Sequence, residues 1–127
     1  MPELFRSRSR PDVRPRSLSR SSPRDRGYDS KWDRYSVQFR QKNPFCRVCL
    51  EQGRHTLIVD RGVVDHKWPV ADGGPMWDPK NHWGLCQSHH DGWKRALETI
   101  ARETGACHKL ITWCDYPSKR PTVRGTL

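Results

Sequence analysis

Two cysteine-bearing knuckles constrain this chain more than any other feature. Cys46-x-x-Cys49 is followed, after 36 residues, by Cys86-x-x-His89. Thiolate and imidazole are the donors zinc prefers, and four protein ligands drawn from two such knuckles close a tetrahedral, structural site. A single Cys-x-x-Cys is a weak signal, whereas a matched pair is a strong one. His90 stands beside His89 and offers an alternative fourth ligand; the spacing favours His89. Consecutive helical residues point about 100° apart, so His90 then faces elsewhere and suggests a second site. Cys107 and Cys114 fall outside the pattern and read as ordinary thiols.

Composition agrees with a metal-stapled domain. Only 33% of the 127 residues are apolar, which leaves little for a self-sufficient core. A structural zinc supplies folding free energy that such a core cannot. The five cysteines are odd in number, and MPELFRSRSR lacks the apolar stretch of a secretory signal, so a disulfide framework is not expected. No apolar run approaches the roughly 20 residues of a membrane span, and a cytoplasmic location is expected.

Lysine and arginine number 24 against 14 acidic residues, a net charge of +10 that points to a polyanion such as nucleic acid. Most of that excess lies early: through Asn43 there are 12 basic and 5 acidic residues. Residues 1–29, rich in Ser, Arg and Pro without periodicity, read as a disordered basic arm.

Trp32, Tyr35 and Phe39 fall at helical spacing after a Ser30 N-cap, and Pro44 stops the helix, whose aromatics should pack on the domain. NPFCRVCLEQ reads as a turn, TLIV and GVVDH as short strands, KWPVADGGPMWDPK as an irregular loop and HWGLC as a further strand. Trp93, Ala96, Leu97, Ile100 and Ala101 form one apolar helical stripe. Ser88 with Asp91 makes a capping box at its start, and Gly105 ends it. The expected division is thus an arm (1–29), a domain (30–105) and a tail (106–127) that frays after Tyr116.

Val64-Asp65-His66 ends a strand with a carboxylate beside an imidazole, and both can reach one cleft there. His66, fourteen residues, Asn81, eight residues and His90 together resemble the HNH endonuclease motif, Asp65-His66 being its Asp-His form. NPFCRVC, VDHKWPVADGG, DPKNHWGLCQSHH, Lys94 and the lead-in RGYDSKW look like the zinc-containing HNH nucleases of bacteriophages and bacteria. The likeness runs from about Arg26 to Leu97. Two positions depart from it: His89 replaces a frequent fourth cysteine, and Asn81 is followed by His82-Trp83 in place of Leu-Gln.

The resemblance implies an α+β fold, a small ββα-metal (His-Me finger) domain with a structural zinc knuckle. It implies a DNA endonuclease in which Asp65 and His90 hold a catalytic divalent metal (Mg²⁺, Mn²⁺, Ni²⁺ or Zn²⁺), His66 is the general base and Asn81 a positioning residue. Cys46, Cys49, Cys86 and His89 would hold the structural Zn²⁺. Implied partners are DNA, read with low sequence specificity, and, for a phage-encoded enzyme in the host cytoplasm, terminase subunits of genome packaging. His55, His82 and His108 fit no site and read as packing or surface histidines. The competing class is a non-catalytic zinc-stabilised nucleic-acid-binding module in which Asp65, His66 and His90 are incidental.

Overall fold

The computed structural model describes residues 29–123, so the basic arm expected at 1–29 lies almost wholly outside it. Helix α1 (Ser30–Lys42) is capped by Asp29 rather than Ser30: the Asp29 carboxylate accepts from the amides of Lys31 and Trp32 at 3.1 and 3.4 Å. A carboxylate is at least as good a cap as a hydroxyl and also suits the positive end of the helix dipole. Pro44 follows two residues after the helix ends. Trp32 is its buried anchor, and Arg40 ties its far end by donating to the Val59 carbonyl at 2.8 Å.

The first knuckle is more ordered than a turn. Cys46 caps a five-residue helix, α2 (Arg47–Glu51), its Sγ accepting from the Cys49 amide at 3.4 Å. TLIV, expected as a strand, instead folds back onto this knuckle: Phe45 and Leu57 form an isolated bridge, Cys46 N–H donates to Thr56 and Ile58 N–H to Pro44. The Thr56 carbonyl and the Ile58 amide are thereby engaged in holding the cysteine loop, and the segment forms one isolated bridge in place of a strand.

Strands β1 (Val63–His66) and β2 (His82–Leu85) form a two-stranded antiparallel sheet with Asp65 opposite Trp83 and His66 opposite His82. Alternation sends these two pairs to opposite faces. Gly84 makes room for the buried Ile58; a Cβ there would stand 2.4 Å from Ile58 Cδ1. Between the strands, the expected irregular loop contains two short 3₁₀ turns, Val70–Asp72 and Pro79–Asn81.

After β2 the chain turns at Cys86 into a helix that opens with a wide π turn, His89–Lys94, and continues as α3 (Arg95–Glu103). The Ser88 capping box does not form. Ser88 is already helical and makes no cap hydrogen bond, while Asp91 accepts from the Gln87 side chain instead. The far end follows the expected pattern: Gly105 is left-handed (φ +66°), with Ala106 N–H on the Ala101 carbonyl and Gly105 N–H on that of Arg102.

The core does not stop there. Helix α4 (Leu110–Asp115) sends Leu110 and Cys114 into the same cluster as Cys46, Trp83, Leu97 and Ala101. Nor does the chain fray between Tyr116 and Val123, because Arg120 donates to the carbonyls of Trp113 and Cys114 and to Glu51 at 2.8 Å, lies over the Trp93 ring, and Val123 is buried. A planar guanidinium with five donors can make all these contacts at once. The result is a small α+β arrangement: one two-stranded sheet, several short helices, and a cysteine–histidine cluster where α2 meets the helix that follows β2.

Candidate metal centre and adjoining histidine cluster

Cys46, Cys49, Cys86 and His89 converge so that one ligand atom from each lies within 4.8 Å of all the others. The His89 Nδ1 atom is 3.5, 3.4 and 3.3 Å from the sulfurs of Cys46, Cys49 and Cys86, and the Cys49 and Cys86 sulfurs are 4.0 Å apart. A tetrahedral zinc with bonds of about 2.3 Å to sulfur and 2.0–2.1 Å to nitrogen requires edges of roughly 3.5 Å (S···N) and 3.8 Å (S···S). The donor set and its dimensions fit a structural metal such as zinc.

The electrostatics are those of a closed site. Burial pushes the Cys46 thiol up to about 11, so in the absence of a cation its thiolate would be unfavourable there. Burial acts the same way on Cys49 but is outweighed by hydrogen bonds from Thr56, Cys46, Arg54 and Cys86, which lower it. Arg54 stands 3.7 Å from the Cys49 sulfur and offsets the surplus negative charge of three thiolates around a divalent ion. Burial, then Arg54, holds His89 below its ordinary value, in the neutral form a metal requires. Cys114, pushed up to about 12 by burial, remains a thiol in the core.

His90, one residue along, faces away from this cluster. Its Nδ1 lies 2.9 Å from the Asp91 carboxylate and its Nε2 is 3.6 Å from Asp65 Oδ1. The other Asp65 oxygen is gripped from behind: Trp83 Nε1 donates to it at 2.9 Å and Lys94 Nζ lies 2.8 Å away. Lys94 is 0% exposed and also reaches Glu98 and the His66 carbonyl. Burial alone would lower its pKa, but Asp65 and Glu98 outweigh it and raise it, keeping the ammonium charged. His90, Lys94 and Glu98 therefore form a polar stripe at i, i+4 and i+8, beside the apolar stripe Trp93, Leu97 and Ala101.

His66 leaves β1 on the face opposite Asp65, and its ring packs among Trp32 and His82. It is 4% exposed and stacked on Trp32, with ring centroids 4.6 Å apart. Asn81, fully buried, bridges the loop: its side chain accepts from Trp68 N–H at 2.8 Å and donates to the carbonyls of Trp68 and Pro75, both at 2.9 Å. The next carbonyl, Met76, is 2.9 Å from His66 Nε2 and 2.8 Å from His82 Nε2. Tyr35 Oη lies 2.6 Å from the remaining His82 nitrogen, and Trp77 closes the cluster edge-on.

His82 is the residue that sequence spacing passed over. It is buried, as a packing histidine would be, but it sits directly on the partner of His66. Its contact with Tyr35 spans 47 positions, and the only local signal for it is the pairing of His82 with His66 that follows from the hairpin register.

No family model matches the chain, and no curated protein or solved structure matches it either. Among the described residues no helix is long and apolar enough to cross a membrane.

Proposed function

We propose that this chain is a divalent-metal-dependent DNA endonuclease of the HNH type, with β1, β2 and the helix that follows Cys86 serving as its ββα unit. The observation that carries the reading is the 3.6 Å approach of His90 Nε2 to Asp65 Oδ1, each anchored from behind by other groups. With Nδ1–H given to Asp91, a neutral His90 turns a lone pair toward a carboxylate oxygen. Two such atoms repel unless a cation or proton lies between them.

Asp65 and His90 would hold a divalent ion, which would supply stabilisation of the charge that develops on the phosphate during hydrolysis. One carboxylate and one imidazole suit Mg²⁺, Mn²⁺, Ni²⁺ and Zn²⁺ alike. His66 takes the proton from the attacking water. Its Nε2 faces the Met76 carbonyl, so Nδ1 is the basic nitrogen. Asp65 and His66 leave opposite faces of the last two residues of β1, and a phosphate at the end of that strand is the position both can address. Asn81 holds the loop that carries Met76.

The excess positive charge supplies affinity for the DNA backbone without reading bases, hence low sequence specificity. The likeness to phage nucleases extends the proposal to genome processing beside terminase subunits. A second reading, a zinc-stabilised nucleic-acid-binding module without catalysis, is favoured by one observation: His66 is nearly covered by Trp32.

Supercoiled plasmid separates the two. Wild type and His66→Ala, chelated briefly with zinc content checked, are supplied singly with Mg²⁺, Mn²⁺, Ni²⁺ or Zn²⁺. Nicking or linearisation by wild type alone is expected. A wild type that shifts DNA on a gel but cuts with no metal establishes the binding module instead.

A further inference from the structure

The Met76 carbonyl is the meeting point of two buried histidines, and a carbonyl oxygen can only accept. Both Nε2 atoms within 2.9 Å of it must therefore carry hydrogen. For His82 the consequence runs on: with hydrogen on Nε2, a neutral ring presents Nδ1 as an acceptor, and Tyr35 Oη at 2.6 Å is the donor that meets it. Tyr35 and His82, separated by 47 residues, thus form a directed chain, Tyr35 O–H to His82 Nδ1 and His82 Nε2–H to Met76 O. Burial favours the neutral form of His82 and the protonated form of Tyr35, as this chain requires.

We propose that Tyr35 and His82 are positioning residues for His66. They hold the Met76 carbonyl where it fixes His66 in its Nε2–H tautomer and so directs the basic lone pair to Nδ1. Asn81 holds the preceding carbonyl, Pro75, so two consecutive side chains at the start of β2 pin two consecutive carbonyls of the loop. The residue after Asn81 is where this chain departs from the sequence pattern it otherwise resembles. A leucine there could pack but could not donate to Met76. The proposal rests on the nuclease reading only for its catalytic consequence; the tautomer itself is a property of the folded chain.

The test is long-range ¹H–¹⁵N NMR on full-length, ¹⁵N-histidine-labelled protein, with plasmid cleavage measured on the same samples. In wild type both His66 and His82 are expected as single Nε2–H tautomers. His82→Leu should give His66 a mixed tautomer signature and slow cleavage about tenfold to a hundredfold, the range for losing a group that orients a functional histidine. His82→Gln, whose side-chain amide can still donate to Met76, should restore the His66 signature and most of the rate. Tyr35→Phe should mix the tautomers of His82 first and those of His66 less.

An unchanged His66 signature in a His82→Leu protein that retains its metal overturns the proposal, and so does a His66 found as the Nδ1–H tautomer in wild type. Should His82→Leu fail to fold, the glutamine and phenylalanine variants carry the same test: a His82 signature in Tyr35→Phe identical to that of wild type refutes the chain. The expected tautomers in a wild type that cuts no DNA would remove the nuclease reading and leave the positioning chain standing.

Discussion

The Cys46–Cys49–Cys86–His89 cluster supplies four donors at tetrahedral spacing, drawn from two segments that lie far apart in the sequence and meet in the core. One residue further along the helix, His90 lies beside Asp65, a pair of only two possible ligands, held by Trp83, Lys94 and Asp91. A set that saturates its metal leaves nothing to bind and serves architecture. On the nuclease reading, a set of two supported by Lys94, Trp83 and Asp91 would leave most coordination positions of an ion to something outside the chain. Neighbouring histidines can serve such different ends because one helical step turns them apart.

The strongest way to break this contrast is at the four-ligand cluster. Cys46→Ser, or exhaustive chelation, should unfold the domain, since structural zinc contributes on the order of 10–16 kcal/mol in small zinc domains. Loss of the cooperative thermal transition by circular dichroism checks this, and a metal-free protein that still melts cooperatively would show the cluster to be dispensable. If the nuclease reading holds, His66→Ala should lower cleavage by about 10²–10⁴-fold while metal content and DNA binding stay near wild type. A variant that loses its fold instead would place His66 among the structural residues.

Lys94→Met sharpens the comparison by asking what support costs. It leaves Asp65 and Glu98 buried without their cation, and a loss of about 3–5 kcal/mol in urea unfolding is expected. Deleting residues 1–25 should weaken DNA binding and flatten its salt dependence without altering the single-turnover cleavage rate; an unchanged salt slope would mean the arm touches no phosphate.

The smallest effect is in pH. Burial holds His82 below its ordinary value, so the unfolded chain takes up that proton first. The stabilisation is complete above about pH 6.5 and is lost as pH falls through the folded value. Acid unfolding of wild type should accordingly begin at higher pH than that of His82→Gln. Coincident profiles would show that His82 is charged in the native state.

Much of the frame was legible because it rests on short-range signals. Pro44 and Gly105 bound helices, GVVDH and HWGLC read as strands and contain β1 and β2, and the two knuckles announced their own cluster. What escaped was decided by tertiary partners. TLIV has strand composition, but its Thr56 carbonyl and Ile58 amide pair with Cys46 and Pro44 of the knuckle. Ser88 has the spacing of a cap, but Cys86 already anchors the turn and the helix starts ahead of it. The segment after Tyr116 has the composition of a loose end, and a single arginine reverses that. His82 offered no periodic signal, since its meaning lies in Tyr35 and in a carbonyl six residues upstream.

That arginine also bears on time rather than equilibrium. Cys49 sits two residues before Glu51 on α2, and His89 shares its π turn with Trp93; Arg120 grips Glu51 and covers Trp93 at once. Parting these two segments would pull the four-ligand cluster open, and the guanidinium is a latch across the gap. Its consequence is the residence time of the metal. A chain lacking Arg120 would still assemble the tetrahedron but would surrender its ion to a chelator sooner.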